Sequence, residues 1–458
     1  MRMTSRQKWA YGSGDLGVGL LYITLNTYFF YYLINIAEFS PLSAGIVFLV
    51  GRLVDAVTDP IIGARSDALR GSLGRIPFFQ RALLPMAVTF VLLFVAPLSP
   101  VLPVVAATLA AAAFSVAYTC VAMPYLALLP EIVPSYHERT QVIGIKSVFT
   151  MVATLLAFAG PPAIVLALSG AGTSELAASE PSAWVTTVAV LACIGALAML
   201  LVGAVVQEPK GEAFDLDFEK PTTTPMLAQI SSVWQATGMR EAVWMFLAIS
   251  VGIMITNSLL AFVLESVIGL PASMLAPVLG GLVLTSIFSF PVWVWLSAKV
   301  GKRGALIAAL FLGILSLLAL VTLVPSGYVS SQLVATVVVN GLATGGIVMF
   351  PWAMLPDVVE FDEQATGQRR EGLVYAVFTF AQKLATSLGV FANAIVIGYF
   401  GYVQGSADQA PETVAALRWL MGPVAATIFT LAIWLTYRFP ITEQLHAAAR
   451  TGSAHQTA

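Results

Sequence analysis

GRLVDAVTDP, residues 51–60, interrupts an apolar run that begins at Ala44. Three full charges, Arg52, Asp55 and Asp59, fall within eight residues there. At the centre of a membrane helix each such charge costs roughly 2.5–3.5 kcal/mol, and each good aliphatic returns only roughly 0.3–0.6. The aliphatics of 44–62 offset one charge, not three. A helix here must therefore turn its charges toward protein or water. Asp55 and Asp59 are four residues apart, so they share a face with Arg52 and Thr58.

The rest of the chain shows why lipid is the right reference. Of 458 residues, 58% are hydrophobic and 10% charged, whereas a soluble protein carries charge at about a quarter of its positions. Mean hydropathy is +0.88. Apolar runs of the length of a bilayer recur from end to end, which implies a polytopic membrane protein. They are too long and continuous for barrel strands and lack alternation. The expected fold class is an all-α membrane protein with twelve transmembrane helices. The expected spans are 11–36, 44–66, 79–98, 103–129, 142–170, 183–206, 241–269, 273–298, 304–324, 332–355, 372–402 and 414–438. The basic start, MRMTSRQKWAYGSGD, precedes an apolar stretch too long for a signal peptide and reads as a retained first span.

Lys and Arg test that map. They flank every second connection, at Arg2, Arg6, Lys8, Arg70, Arg75, Arg139, Lys210, Lys220, Arg240, Lys299, Lys302, Arg303, Arg369, Arg370, Arg438 and Arg450. The alternate loops carry none, and Arg418, just inside the last span, is a mild exception. The asymmetry places both termini in the cytoplasm of an inner (plasma) membrane protein. Residues 207–239, with QEPKGEAFDLDFEKPTTTP, read as a cytoplasmic linker. MLAQISSVWQATG after it has the makings of a short interfacial helix anchored by Trp234. The chain divides into a half at 1–206, the linker, a half at 240–438 and a tail at 439–458.

The halves echo each other. PYLALLPEIV (124–133) and PWAMLPDVVE (351–360) share Pro, an aromatic, Leu-Pro, an acid and a branched aliphatic. Pro356 follows Pro130 by 226 residues, and Lys302-Arg303 follows Gly74-Arg75 by 228. Two pseudo-symmetric six-helix halves are a transporter architecture, with the solute site between them near the midplane.

Two adjacent carboxylates repel unless a proton or cation sits between them, and hard cations favour oxygen ligands. Asp55, Asp59 and Thr58 thus form a candidate site for Na⁺ or H⁺. In the structural alternative Arg52 neutralises one Asp and pins helices together, which leaves one carboxylate over. Lys383, in the eleventh span, either balances the carboxylates or responds to cation occupancy. Glu265, near the outer end of the seventh span, is expected to snorkel to the interface. Asp15 sits in YGSGDLGVG, where helices can pack closely; gate, cap and ligand readings stay open for it. Lys146 either snorkels or faces the cavity. Asn26, Asn257, Asn340, Thr344 and Gln382 are polar groups able to line a cavity. Cys120 and Cys193 lie in apolar spans and suggest neither a disulfide nor a metal cluster. No basic patch suggests nucleic acid. His137, His446 and His455 form no metal-binding pair and no nucleophile motif stands out, so no enzyme is expected.

With these motifs in hand, the chain resembles the major facilitator superfamily. It most resembles the glycoside–pentoside–hexuronide:cation symporters, typified by the melibiose permease. The stretch GRLVDAVTDPIIG…LGR (51–75) carries this, with YGSGDLG, YTCVAMPY, ERTQ and YAVFTFAQK in support. The resemblance implies cation ligation by Asp55, Thr58, Asp59 and Thr119, with Na⁺ at Asp55 and Asp59 if the ion is not H⁺. It implies a coupling role for Lys383, and it matches Lys146 to a basic residue of the fifth helix. It also shows departures: Gly19, Ala122, Leu126 and Val348 stand where the melibiose permease has polar or aromatic sugar-binding groups. A melibiose-like galactoside is therefore not expected. VGR…DA.TDP and TC…PY.AL also resemble the sodium-dependent lysophospholipid transporters, so an amphiphilic solute is the alternative to a sugar. Asp15, Arg52, Arg65, Asp67, Arg70, Arg75, Glu131 and Arg139 are gating candidates. The expected partners are the bilayer and a small or amphiphilic solute, with no cofactor beyond the coupling ion and a monomeric state.

Overall fold

The computed structural model describes residues 3–69, 73–133, 136–169, 176, 179–208, 234, 238–323, 328–366, 371–404, 406 and 409–441. Among them the chain is helical throughout its ordered elements, and ten helices are long and apolar enough to cross a membrane.

The helices are α1 Ser5–Asn35, α3 Arg75–Leu98, α4 Pro103–Ile132, α5 Tyr136–Ser169, α6 Pro181–Val205 and α7 Met239–Val267. The ten do not include α2, Pro41–Ala68, a 28-residue helix that carries the charged stretch. After α7 comes the stretch Ala272–Thr322, two helices that meet at a kink at Gly301, where φ is 74° and ψ 163°. Its parts, 272–300 and 302–322, are α8 and α9. Then follow α10 Ser331–Thr366, α11 Glu371–Tyr399 and α12 Pro411–Arg438. Counted this way, twelve helical segments lie among the described residues.

Local chemistry sets many of the ends. Thr4 and Gln7 form a reciprocal capping box at the start of α1. Pro41, Pro103, Pro181 and Pro411 open their helices, where a missing N–H costs nothing. Gly74, at φ 82°, and Gly301 hold left-handed backbone at equivalent places, after the second and eighth segments. The sequence echo around Gly74-Arg75 and Lys302-Arg303 is thus a repeated backbone turn. Lys302 ion-pairs with Asp357 at 2.7 Å, joining the two echoed motifs of the second half.

The expected break between the eighth and ninth spans, 298 to 304, falls at Gly301, the one residue there outside the helical conformation. One expectation is corrected: the tenth helix does not stop at 355 but continues through PWAMLPDVVE, with Pro351 and Pro356 inside it, to Thr366. A membrane helix tolerates such prolines when neighbours satisfy the freed carbonyls. The linker 207–239 and the tail 439–458 fall almost wholly outside the described residues. Trp234 is an exception: its carbonyl accepts from Arg240 Nε at 3.2 Å.

Packing brings the charged helix to the middle. α1 packs on α5 and α6, and α2 on α4. A Cβ on Gly17 would come within 2.7 Å of the Gly195 carbonyl, so only glycine allows α1 and α6 to approach so closely. α7 packs on α11 and α12, and α8 and α9 on α10. Three contacts join these sets: α2 against α11, α5 against α8, and the later part of α1, Leu25–Asn35, against α7. The α2–α11 seam is tight at Gly45, whose added Cβ would meet that of Ala394 at 2.6 Å.

Candidate functional site

That seam places Lys383 of α11 opposite the carboxylates of α2. Lys383 Nζ lies 2.9 Å from Asp55 Oδ2 and also donates to Asp59 Oδ2. α4 completes the cluster through Thr119, whose hydroxyl sits 3.1 Å from Asp55 Oδ1 and 3.0 Å from Asp59 Oδ1. Arg52 Nη1 is 3.7 Å from Asp55 Oδ2, and Nη2 donates to Asn26 Oδ1 of α1. The guanidinium lies over the Tyr22 ring at 4.6 Å and the Phe48 ring at 5.2 Å. Asp55 is 1% exposed and Asp59 17%, so the cluster opens on the Asp59 side.

The hydrogen-bond arithmetic is incomplete. A threonine hydroxyl has one proton, yet Thr119 faces two carboxylate oxygens. It donates to one and turns a lone pair toward the other. Asp55 Oδ2 is buried without an aligned hydrogen bond, although both cations are in ion-pair range. An electropositive visitor among Asp55 Oδ1, Asp59 Oδ1 and Thr119 Oγ1 would complete the set. All three are hard oxygen donors.

The structure therefore brings Asp55, Asp59, Thr119, Lys383, Arg52 and Asn26 together. Thr58 stands apart: its hydroxyl donates to the Asp55 carbonyl at 3.3 Å, the usual local bond of a helical threonine. The carboxylate expected to be left over is instead bridged by Lys383. Arg52, grouped by sequence with the gating residues, belongs to this cluster. Asn26 holds Arg52 and donates to the Tyr22 carbonyl at 2.8 Å.

Asp15 and Lys146 make a separate pair between α1 and α5, at 3.4 Å, with Thr150 donating to Asp15 at 3.1 Å. Lys146 also lies 5.0 Å over the Tyr125 ring. Asn257 and Asn340 line a third place, a cavity of about 50 Å³ among α7, α8, α9, α10 and α12. Thr256, Thr336 and Thr344 share it with leucines. Arg75 Nη1 donates to Ser66 at 3.1 Å, and its backbone N–H to Glu208 at 2.6 Å. The side chains of Asp67, Glu131 and Arg139, and all of Arg70, lie outside the described residues.

With this geometry in place, comparison with known proteins identifies the kind of molecule. The sequence profile of the MFS/sugar transport protein family matches residues 10–443. The chain belongs to that family. It is 26% identical to the uncharacterized symporter YnaJ of Bacillus subtilis, over 94% of this chain and 90% of that one. It is 25% identical to the sodium-dependent lysophosphatidylcholine symporter 1-A of Danio rerio, over 90% of this chain and 81% of that one. Its fold matches a solved bacterial homolog of the human lysosomal transporter Spinster at a TM-score of 0.68. That match is 14% identical and covers 96% of this chain and all of the other. This is a multi-pass membrane transporter, not an enzyme.

The transporter also holds a buried carboxylate that the sequence placed wrongly. Glu265 does not snorkel: it is 4% exposed, and Tyr31 of α1 donates to its Oε2. Both α1 and α7 carry a π turn, at Leu25–Phe29 and Val263–Val267, and Glu265 sits in the second. Nearby, Tyr402 donates to Asn35 Oδ1 at 2.9 Å. These bonds tie α1 to α7 and to the connection after α11.

Proposed function

We propose that this transporter is a cation-coupled symporter working by alternating access. Na⁺ or H⁺ enters between Asp55 and Asp59, with Thr119 as the neutral ligand. The supporting observation is the single Thr119 proton facing two carboxylate oxygens. Lys383 bridges the carboxylates in the cation-free state and yields them when the cation arrives. α2 and α11 line the seam between the proposed halves, 1–206 and 240–438, so cation entry there changes the contact that opening must break. Coupling is reciprocal: solute tightens cation binding by the factor by which the cation tightens solute binding. Asp15–Lys146 belongs to the gate. The protein acts as a monomer in the inner membrane with both termini cytoplasmic.

The solute is a small glycoside-type molecule rather than a melibiose-like galactoside, since Gly19 and Ala122 offer no polar group. A second reading, a lysophospholipid or other amphiphile, draws on the cavity lined by Leu260, Leu282, Leu317 and Leu320 beside Asn257 and Asn340. The test is uptake into proteoliposomes under a Na⁺ or proton gradient. Asp59→Asn should abolish accumulation against a gradient while the protein still purifies as a folded monomer. Undiminished accumulation in that variant removes the assignment.

A further inference from the structure

Away from the α2–α11 seam, the ends of α8 and α12 carry a basic and aromatic surface that the coupling scheme does not use. Lys299, in the last turn of α8, holds its Nζ 3.8 Å over the Trp295 ring. Arg438, the last residue of α12, has its guanidinium 4.2 Å over the Trp434 ring. Arg303, in the first turn of α9, joins the two ends. Its Nη1 donates to the Phe439 carbonyl at 3.3 Å, and its Nη2 donates to the Tyr437 carbonyl. Its guanidinium also lies 4.8 Å over the Tyr437 ring. Arg303 is thus four residues from Lys299 and bonds the peptide that carries Arg438. Among the described residues, none of these three cations has a carboxylate in ion-pair range, whereas Lys302 has Asp357. Trp295, Trp434 and Tyr437 are exposed, as are Lys299 and Arg438. The first half neutralises its matching place from within: after Gly74, Glu208 accepts from the Arg75 N–H at 2.6 Å and the Ile76 N–H at 3.3 Å. After Gly301 the chain instead adds two cations, Lys302 and Arg303, and no described carboxylate caps the turn.

We propose that this surface binds an anionic phospholipid, with the phosphate on Lys299, Arg303 and Arg438 and the acyl chains beside α8 and α12. Tryptophans at the ends of membrane helices sit at headgroup depth. A cation resting on such a ring stays at that depth instead of extending into water, so Lys299 and Arg438 are held where lipid phosphates lie. Stacking uses the face of a guanidinium and leaves its N–H edge for paired oxygens, which a phosphate supplies. The apolar contacts are in place too: Val292 and Leu431, each three residues before its tryptophan, are exposed on the membrane side. A free anion gains nothing from those flanks, whereas a phospholipid brings phosphate and chains to one place. Each cation near the membrane surface strengthens the attraction to anionic lipid about fivefold. The bound lipid bridges the ends of α8 and α12, in the cytoplasmic leaflet for the orientation proposed above. It is a fixed partner of the second half and not the transported solute.

The experiment uses the purified full-length protein in phosphatidylcholine nanodiscs at fixed ionic strength. Brominated phosphatidylglycerol and brominated phosphatidylcholine with the same chains serve as tryptophan quenchers. Wild type should bind the phosphatidylglycerol at least tenfold more tightly, and the excess quenching should vanish in Trp295→Phe/Trp434→Phe. Lys299→Gln/Arg438→Gln should cut the preference below threefold while melting as wild type does in pure phosphatidylcholine. Lys299→Arg/Arg438→Lys, which keeps both charges, should retain it. So should Arg6→Gln/Arg240→Gln, which removes two exposed cations elsewhere on the same proposed side of the membrane. Three results overturn the proposal: no preference in wild type, an undiminished preference in Lys299→Gln/Arg438→Gln, or an equal loss in Arg6→Gln/Arg240→Gln. The last is diffuse attraction to membrane charge and not a site. Displacement of phosphatidylglycerol by millimolar glycerol phosphate overturns it as well, because the ligand is then a free anion. If Lys299→Gln/Arg438→Gln does not fold, the tryptophan variant decides, since excess quenching that survives there puts the lipid elsewhere. None of these outcomes depends on the cation site at Asp55 and Asp59.

Discussion

Replacing Lys383 by Gln asks whether that ammonium stands in for the proposed coupling cation. The substitution keeps length and polarity but removes the charge that bridges Asp55 and Asp59. Asp55 retains Arg52 at 3.7 Å. Among the described residues, Asp59 retains only the Thr119 hydroxyl, 3.0 Å away. Because that hydroxyl also meets Asp55 at 3.1 Å, the two facing oxygens are at most about 6 Å apart. Two unit charges at about 6 Å, in an effective dielectric of about 20, repel by about 3 kcal/mol. That agrees with the roughly 3–5 kcal/mol lost when one partner of a buried ion pair is removed. A cation at one hundred times its Kd returns about 2.7 kcal/mol to the state that binds it. Lys383→Gln should therefore melt well below wild type in choline chloride and recover most of the difference in NaCl. Wild type should gain less from Na⁺, because Lys383 competes for the same oxygens. Melting temperatures in matched choline, potassium and sodium salts read this directly. Two results refute the reasoning: a variant as stable as wild type in choline, or equal recovery in every salt, which is screening rather than a site.

Two further outcomes follow from the same geometry. Thr119→Val keeps shape but removes the hydroxyl between the carboxylates; stability should fall by about 1–3 kcal/mol, and Na⁺ affinity should drop with it. Unaltered Na⁺ titrations in that variant exclude Thr119 as a ligand. Tyr31→Phe removes a donor to buried Glu265 and should cost about 1–3 kcal/mol, with the loss largely suppressed in a Glu265→Met background, which lacks the acceptor. Additive losses in the double variant show that the two side chains do not act together.

How much of this was legible follows from what a local pattern can encode. The cost of three charges in an apolar run is a property of ten consecutive residues, so the unusual nature of α2 showed directly. The echo of Gly74-Arg75 in Lys302-Arg303 was visible as a basic pair at nearly the offset of the Leu-Pro-acid motifs; the positive-φ glycine in each turn, Gly74 and Gly301, shows only in the structure. Glu265 was misplaced because nearness to a helix end was taken for access to the interface. Its π turn and the Tyr31 hydroxyl direct it inward, and neither leaves a mark in hydropathy. Thr58 shares the carboxylates' face, yet its short side chain reaches its own backbone first.

Partners were the harder part. Lys383 is 324 residues from Asp59, and helical phase gives a face but not the neighbour across it. The sequence therefore made the two carboxylates conspicuous and left their compensation open. That gap changes the functional reading. With Arg52 as the sole partner the cluster would be one charge negative, and a lone Na⁺ or H⁺ would complete it. With Lys383 bridging both carboxylates the same residues are neutral at rest. The proposed coupling ion would then not fill a deficit but displace a tethered cation, so Lys383 sets how strongly the two carboxylates can hold any visitor.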